Sequence, residues 1–143
     1  MQMKKIGLWL WLGLLIPAFY QPLQAQEAPH RLVMQLSSGD TLVYKGLFKQ
    51  LNNLQQGWGD SVTIMVVCHG PGMDLLIAGK SSYSAQIPAF QQRGIRFVAC
   101  ENTLRERQIP KESLLPDLDY VRMGLAEIVV RQEAGWSYIK AGF

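Results

Sequence analysis

The chain has 143 residues, 48% of them apolar, and a formal charge of +3 at neutral pH. Lys4 and Lys5 carry two of those charges, so the remainder is close to neutral and holds no basic run of the kind that grips phosphates; nucleic acid is not an expected partner. The chain holds two cysteines and no CxxC spacing, which argues against a structural zinc site and a thioredoxin-type motif.

Lys4 and Lys5 precede an apolar stretch over residues 6–16. Pro17 and the small residue Ala25 follow. This order reads as a secretory signal over residues 1–25, cut before Gln26. The apolar run is shorter than the roughly 20 residues a spanning helix needs, so no membrane anchor is expected after cleavage. Export implies a periplasmic or secreted protein, with one small domain over residues 26–143. In an oxidising space a disulfide between Cys68 and Cys100 has to be considered, and spacing alone does not decide it.

The first strand is expected over residues 31–36, closed by the turn-forming Ser37-Ser38-Gly39-Asp40. Asp40 is placed to cap a helix in which Val43, Leu47, Leu51 and Leu54 recur at helical spacing. Residues 61–68 are continuously apolar and β-branched, as in a strand covered on both faces of a parallel sheet. His69-Gly70-Pro71-Gly72 is a loop shaped by its proline and glycines, residues 74–77 a helical turn, and residues 84–93 a helix closed by Gly94. A third strand runs over residues 95–99. Thr103 and Glu106 form a capping-box pattern, which starts a helix close behind Cys100.

A short strand is expected near residues 120–123. The last helix carries Leu125, Ile128, Val129 and Gln132 on one face, an i,i+4 pair of Glu127 and Arg131, and Gly135 at its end. Residues 136–139 close the chain as a final strand. Strands alternating with helices give an α/β fold, a three-layer α/β/α sandwich with right-handed crossovers.

In such a sheet ligands bind at the carboxyl ends of the strands. Three stretches fall on that edge: Ser38 with its neighbours, Cys68 to Gly72, and Cys100 with Asn102 and Thr103. Cys100, at the opening of a helix, lies near unpaired backbone N–H groups that favour a thiolate, with Arg105 and Arg107 following and Glu101 opposing. The competing reading is a buried strand-end cysteine, since free cysteine is among the most buried residue types. Cys68 ends an apolar strand and reads as buried, with a resolving thiol or disulfide partner as the alternatives. His69 is either a base or thiolate partner for Cys100 or a histidine that holds the loop. No metal set or cofactor fingerprint is present, and neither a metal nor a cofactor is expected.

Three segments together resemble the DsrE/DsrF-like family: Val66-Val-Cys-His-Gly-Pro-Gly72, Gly94-Ile-Arg-Phe-Val-Ala-Cys-Glu-Asn-Thr-Leu104, and Gly124-Leu-Ala-Glu-Ile-Val129 with Gly135-Trp-Ser-Tyr-Ile139. The resemblance implies a flavodoxin-like sandwich around a five-stranded, mostly parallel sheet, assembled as a homotrimer or homohexamer. It implies sulfur handling, with Cys100 as the residue that carries sulfane sulfur as a persulfide to a thiol partner protein. The strand-end reading adds His69 as the assisting residue and Ser38, Gly70, Gly72, Asn102 and Thr103 as the rim. The better-known members act in the cytoplasm, whereas the leader here implies export. The alternative is a non-catalytic homo-oligomeric binding or interaction module with structural cysteines. The residues name neither a donor nor an acceptor of sulfur, and no enzymatic turnover.

Overall fold

The computed structural model describes residues 30–142; the leader expected over residues 1–25 lies outside them. Five strands make one sheet in the order β4-β3-β2-β1-β5. They are β1 (His30–Leu36), β2 (Val62–Cys68), β3 (Arg96–Cys100), β4 (Asp119–Val121) and β5 (Ser137–Lys140). All four pairings are parallel. The apolar run of β2 is explained by its place at the centre, where both faces are covered.

Helix α1 (Thr41–Trp58) starts at Asp40, whose Oδ1 accepts the Leu42 N–H at 2.8 Å. That bond satisfies one of the free amides of the first turn. Tyr44, Leu47, Phe48 and Leu51 form its buried stripe. They pack on Met34, Leu36, Ile64, Val66, Phe97 and Ala99, which point to the same side of the sheet. Two 3-10 segments, Gly70–Leu76 and Ser82–Gln86, and helix α2 (Ile87–Gln92) complete this layer.

The helix expected over 84–93 is therefore split. Ser81 accepts the Tyr83 N–H and opens a 3-10 turn, and the α register begins only at Ile87 and Pro88. Proline suits a first helical turn because its missing N–H is not needed there. Helix α3 (Glu101–Glu106) also differs from expectation: its N-cap is Cys100, so Thr103 lies inside the first turn rather than capping it. The strand runs one residue further than expected and passes into the helix with no linker, which leaves the capping-box pair without an end to cap.

The opposite face has a thinner cover, helix α4 (Gly124–Glu133). Ile128 is buried over Val33, Met65, Val67 and Val98. Glu127 and Arg131 pair at 2.6 Å. Leu125 and Val129, expected to share a face with Ile128, are 54% and 51% exposed. The helix touches the sheet along its Gly124–Ile128 edge, so the rest of the predicted stripe projects away from the sheet.

Candidate functional site

Cys100 ends β3 and caps α3, and its side chain points to the α4 face, since Ala99 and Phe97 point to the other. Helix α4 begins directly beside it. Gly124 allows that approach: a Cβ there would lie 3.3 Å from the His69 Cβ, 3.4 Å from the Cys100 Cβ and 3.2 Å from a Val67 methyl. The Gly124 N–H donates to Cys100 Sγ at 3.2 Å. Cys100 is only 4% exposed, yet it borders a cavity of about 290 Å³ together with His69, Gly70, Asn102, Thr103 and Met123.

Burial works against ionising this thiol, but the donors around it win, and its pKa falls below the ordinary value. Those donors are the Thr103 hydroxyl, the Gly124 amide, and the amides of Thr103 and Asn102. The Thr103 Oγ1 accepts the Gly70 N–H at 3.0 Å, which leaves its own proton for the sulfur. Thr103→Val keeps the shape and removes both bonds. We expect it to move the alkylation midpoint of Cys100 up toward that of a free thiol and to lower stability by about 1–2 kcal/mol, as a buried amide loses its acceptor. Denaturant titration and pH-resolved alkylation of the variant check both effects.

Glu106 borders the cavity, while the charged residues singled out from the sequence act elsewhere. Arg107 bonds the Gly70 carbonyl and Asp74, each at 2.8 Å. Arg105 donates to the Asn102 side chain, and Glu101 pairs with Lys111 at 2.8 Å. Among the described residues, the sulfur is held by neutral donors rather than by an ion pair.

His69 follows β2 and borders the same cavity. Its Nε2 lies 2.7 Å from the Gln35 amide nitrogen, and burial lowers its pKa, which favours the neutral ring. The Tyr138 hydroxyl donates to Oε1 of the same glutamine. Gly70 takes φ +53°, a conformation that glycine adopts without strain.

Three expected residues are not part of this arrangement. Cys68 pairs in register with Ala99, and both face the α1 side, opposite Cys100. It is fully buried, its thiol is unbonded to Cys100, and burial pushes its pKa strongly up. The pleat thus separates the two thiols, and the bridge or resolving role considered for Cys68 has no geometry in this fold. Ser38 accepts the Asp40 N–H at 3.1 Å and holds its own turn; β1 lies two strands from β3, so its loop does not reach the cavity. Gly72 is buried against Leu36 and shapes the loop from behind.

Gly124, Gln35 and Tyr138 belong to the site without having been singled out by the sequence. Gly124 stands where a helix opens, which is the one signal it gives. Gln35 and Tyr138 are two among many polar residues on strands, and only the register, Val33 opposite Tyr138, puts them on one face. A larger cavity of about 460 Å³ lies at the other end of the strands, beside Gln55, Asp60 and Arg93, and has no cysteine or histidine on its walls. No group of three or more His, Cys, Asp or Glu side chains converges as a metal-ligand set among the described residues.

The sequence profile of the DsrE/DsrF-like family matches residues 37–141, the span that carries β2, β3, α3, α4 and the cysteine between them. This chain belongs to the DsrE/DsrF-like family. The fold agrees with that of MTH1491 from Methanobacterium thermoautotrophicum, a protein of unknown function. That structure is 32% identical, superposes with a TM-score of 0.68, and aligns over 78% of this chain and 98% of its own. Comparison with curated proteins finds no match. As a DsrE/DsrF-like protein, the chain has a sheet, a strand-end cysteine and a fold of the sulfur-relay type.

Proposed function

We propose that this DsrE/DsrF-like protein is an exported sulfur carrier in which Cys100 holds sulfane sulfur as a persulfide and passes it to a thiol partner protein. The observation that carries this reading is a thiol of lowered pKa, bordered by a cavity and held by neutral donors. A thiolate is the competent nucleophile for sulfur transfer. Cys100 attacks the outer sulfur of a donor persulfide; a new S–S bond forms at Cys100 as the donor's S–S bond breaks. The electron pair leaves with the donor thiolate and the outer sulfur keeps its hydrogen, so no external oxidant is consumed. Delivery is the same exchange in reverse, onto a thiolate of the partner, because Cys68 lies across the sheet.

The test is intact mass after incubation with glutathione persulfide. The wild type is expected to gain one sulfur that dithiothreitol removes, Cys68→Ser to gain it as well, and Cys100→Ser to gain none. On protein recovered from the exported fraction, the same spectrum is expected to begin at Gln26. An unchanged wild-type mass would refute the carrier reading.

A second reading is favoured by the uncovered side of α4, where Leu125, Val129 and Val130 are each more than half exposed. Apolar surface of this kind suits self-association, as in a homotrimer or homohexamer. A purely structural oligomer would assemble unchanged with serine at position 100 and bind no sulfur.

A further inference from the structure

We propose that Gln35, backed by Tyr138, fixes His69 with its proton on Nδ1, so that the imidazole is a hydrogen-bond donor to sulfur held on Cys100 and not the base that ionises it. The inference rests on the carrier reading for its purpose and on geometry for its content. An amide nitrogen has no lone pair to offer, so the 2.7 Å contact from Gln35 Nε2 requires an unprotonated ring Nε2. In this arrangement the other end of the amide is bonded as well, with Oε1 accepting the Tyr138 hydroxyl. Both side chains reach this position because β1 and β5 are in parallel register with Val33 opposite Tyr138, which puts Gln35 and Tyr138 on the α4 side with Cys100.

A neutral imidazole whose Nε2 already accepts a bond has one proton left, on Nδ1. His69 and Cys100 line the same cavity, and a Cβ at Gly124 would lie 3.3 Å from the His69 Cβ and 3.4 Å from the Cys100 Cβ, so sulfur added to Cys100 extends into the space that the ring borders. Ionisation of Cys100 is already favoured by Thr103 and the backbone amides, so a base at His69 is not needed for it. A donor is what a terminal persulfide or a departing thiolate lacks. Gln35 and Tyr138 are then positioning residues that act through His69.

The chain has two histidines, His30 and His69, so imidazole nitrogens can be read individually in 15N-labelled protein, with His30→Gln to assign them. The expected wild-type spectrum shows His69 protonated at Nδ1 and bare at Nε2. Gln35→Glu replaces the donor by an acceptor and is expected to move a proton onto Nε2. In sulfur loading from glutathione persulfide, His69→Asn puts an amide nitrogen in the place of Nδ1 and is expected to stay within about threefold of wild type, whereas His69→Ala loses about tenfold or more. A wild-type ring protonated at Nε2, an unchanged ring in Gln35→Glu, or an Asn variant as slow as the Ala variant would overturn the assignment. The spectra need no sulfur donor, so a protein that never loads sulfur would sink the carrier reading while the tautomer still answers for itself.

Discussion

Native alkylation is expected to label Cys100 alone, at a rate that levels off at a pH below the ordinary thiol value, and Cys100→Ser is expected to abolish it. Burial by itself would push this thiol up, as it does Cys68. The two cysteines differ in what surrounds them. Cys68 sits among Met34, Leu36, Val66 and Ala99, which can donate nothing from their side chains. Cys100 receives bonds from Thr103 and from amides at the openings of α3 and α4. Charge-assisted bonds of this kind outweigh the cost of leaving water when several converge on one atom.

The lowered pKa also has a sign in stability. The folded thiol releases its proton at lower pH than the unfolded one, so between those two values the unfolded chain binds more protons and stability rises with pH. The gain is fully present above the unfolded pKa and is lost as pH falls through the folded one. The difference in unfolding free energy between wild type and Cys100→Ser should therefore widen over that interval and stay flat outside it. It grows by about 1.4 kcal/mol for each tenfold by which folding weakens the thiol's hold on its proton. Cys68 contributes with the opposite sign at high pH but cancels in the difference. If Cys100 takes up the reagent only in denaturant, the thiolate it needs is absent from the native state.

Much of this arrangement was legible from local pattern. The continuous apolar run of β2, the Asp40 cap and the helix spacing of α1 each follow from a single stretch of chain, and the structure reproduces them. The strand-end cysteine was legible for the same reason: a strand that stops at a thiol before a polar, helix-opening run puts that thiol on the ligand edge. Parity was the limit. One residue of strand length decides which face Cys100 takes, and expecting β3 to close at 99 left open whether it faced Cys68. Side-chain direction was a second limit, because Arg105 and Arg107 are near Cys100 in sequence but spend their donors on Asn102, Gly70 and Asp74. The donors that matter come from Gly124 and Thr103, and Gly124 is 24 residues away.

Gly72→Ala is expected to be the most damaging single-methyl change in the domain, at about 3 kcal/mol. A Cβ at this position would lie 2.2 Å from the Leu36 carbonyl oxygen and 2.7 Å from its carbon. Both are backbone atoms at the end of β1, paired in the sheet with β2, and neither can swing aside as the end of a flexible side chain could. Leu36 O is also the acceptor for the His69 N–H at 3.0 Å, and His69 O accepts the Gly72 N–H at 3.0 Å. The loop can relieve the clash only by lifting from β1, which draws His69 away from Gln35 and loosens the wall of the Cys100 cavity. Chemical denaturation should show the midpoint fall, and in whatever fraction remains folded the His69 ring should lose its fixed tautomer. Gly57→Ala is the control: its Cβ meets nothing within 4 Å and it lies in the last turn of α1, so the change should leave stability unchanged or raise it by about 0.5–1 kcal/mol. Equal midpoints for the two alanine variants would mean that the loop after β2 does not rest on the end of β1, which would leave the Gln35 contact alone to hold His69 at the cavity.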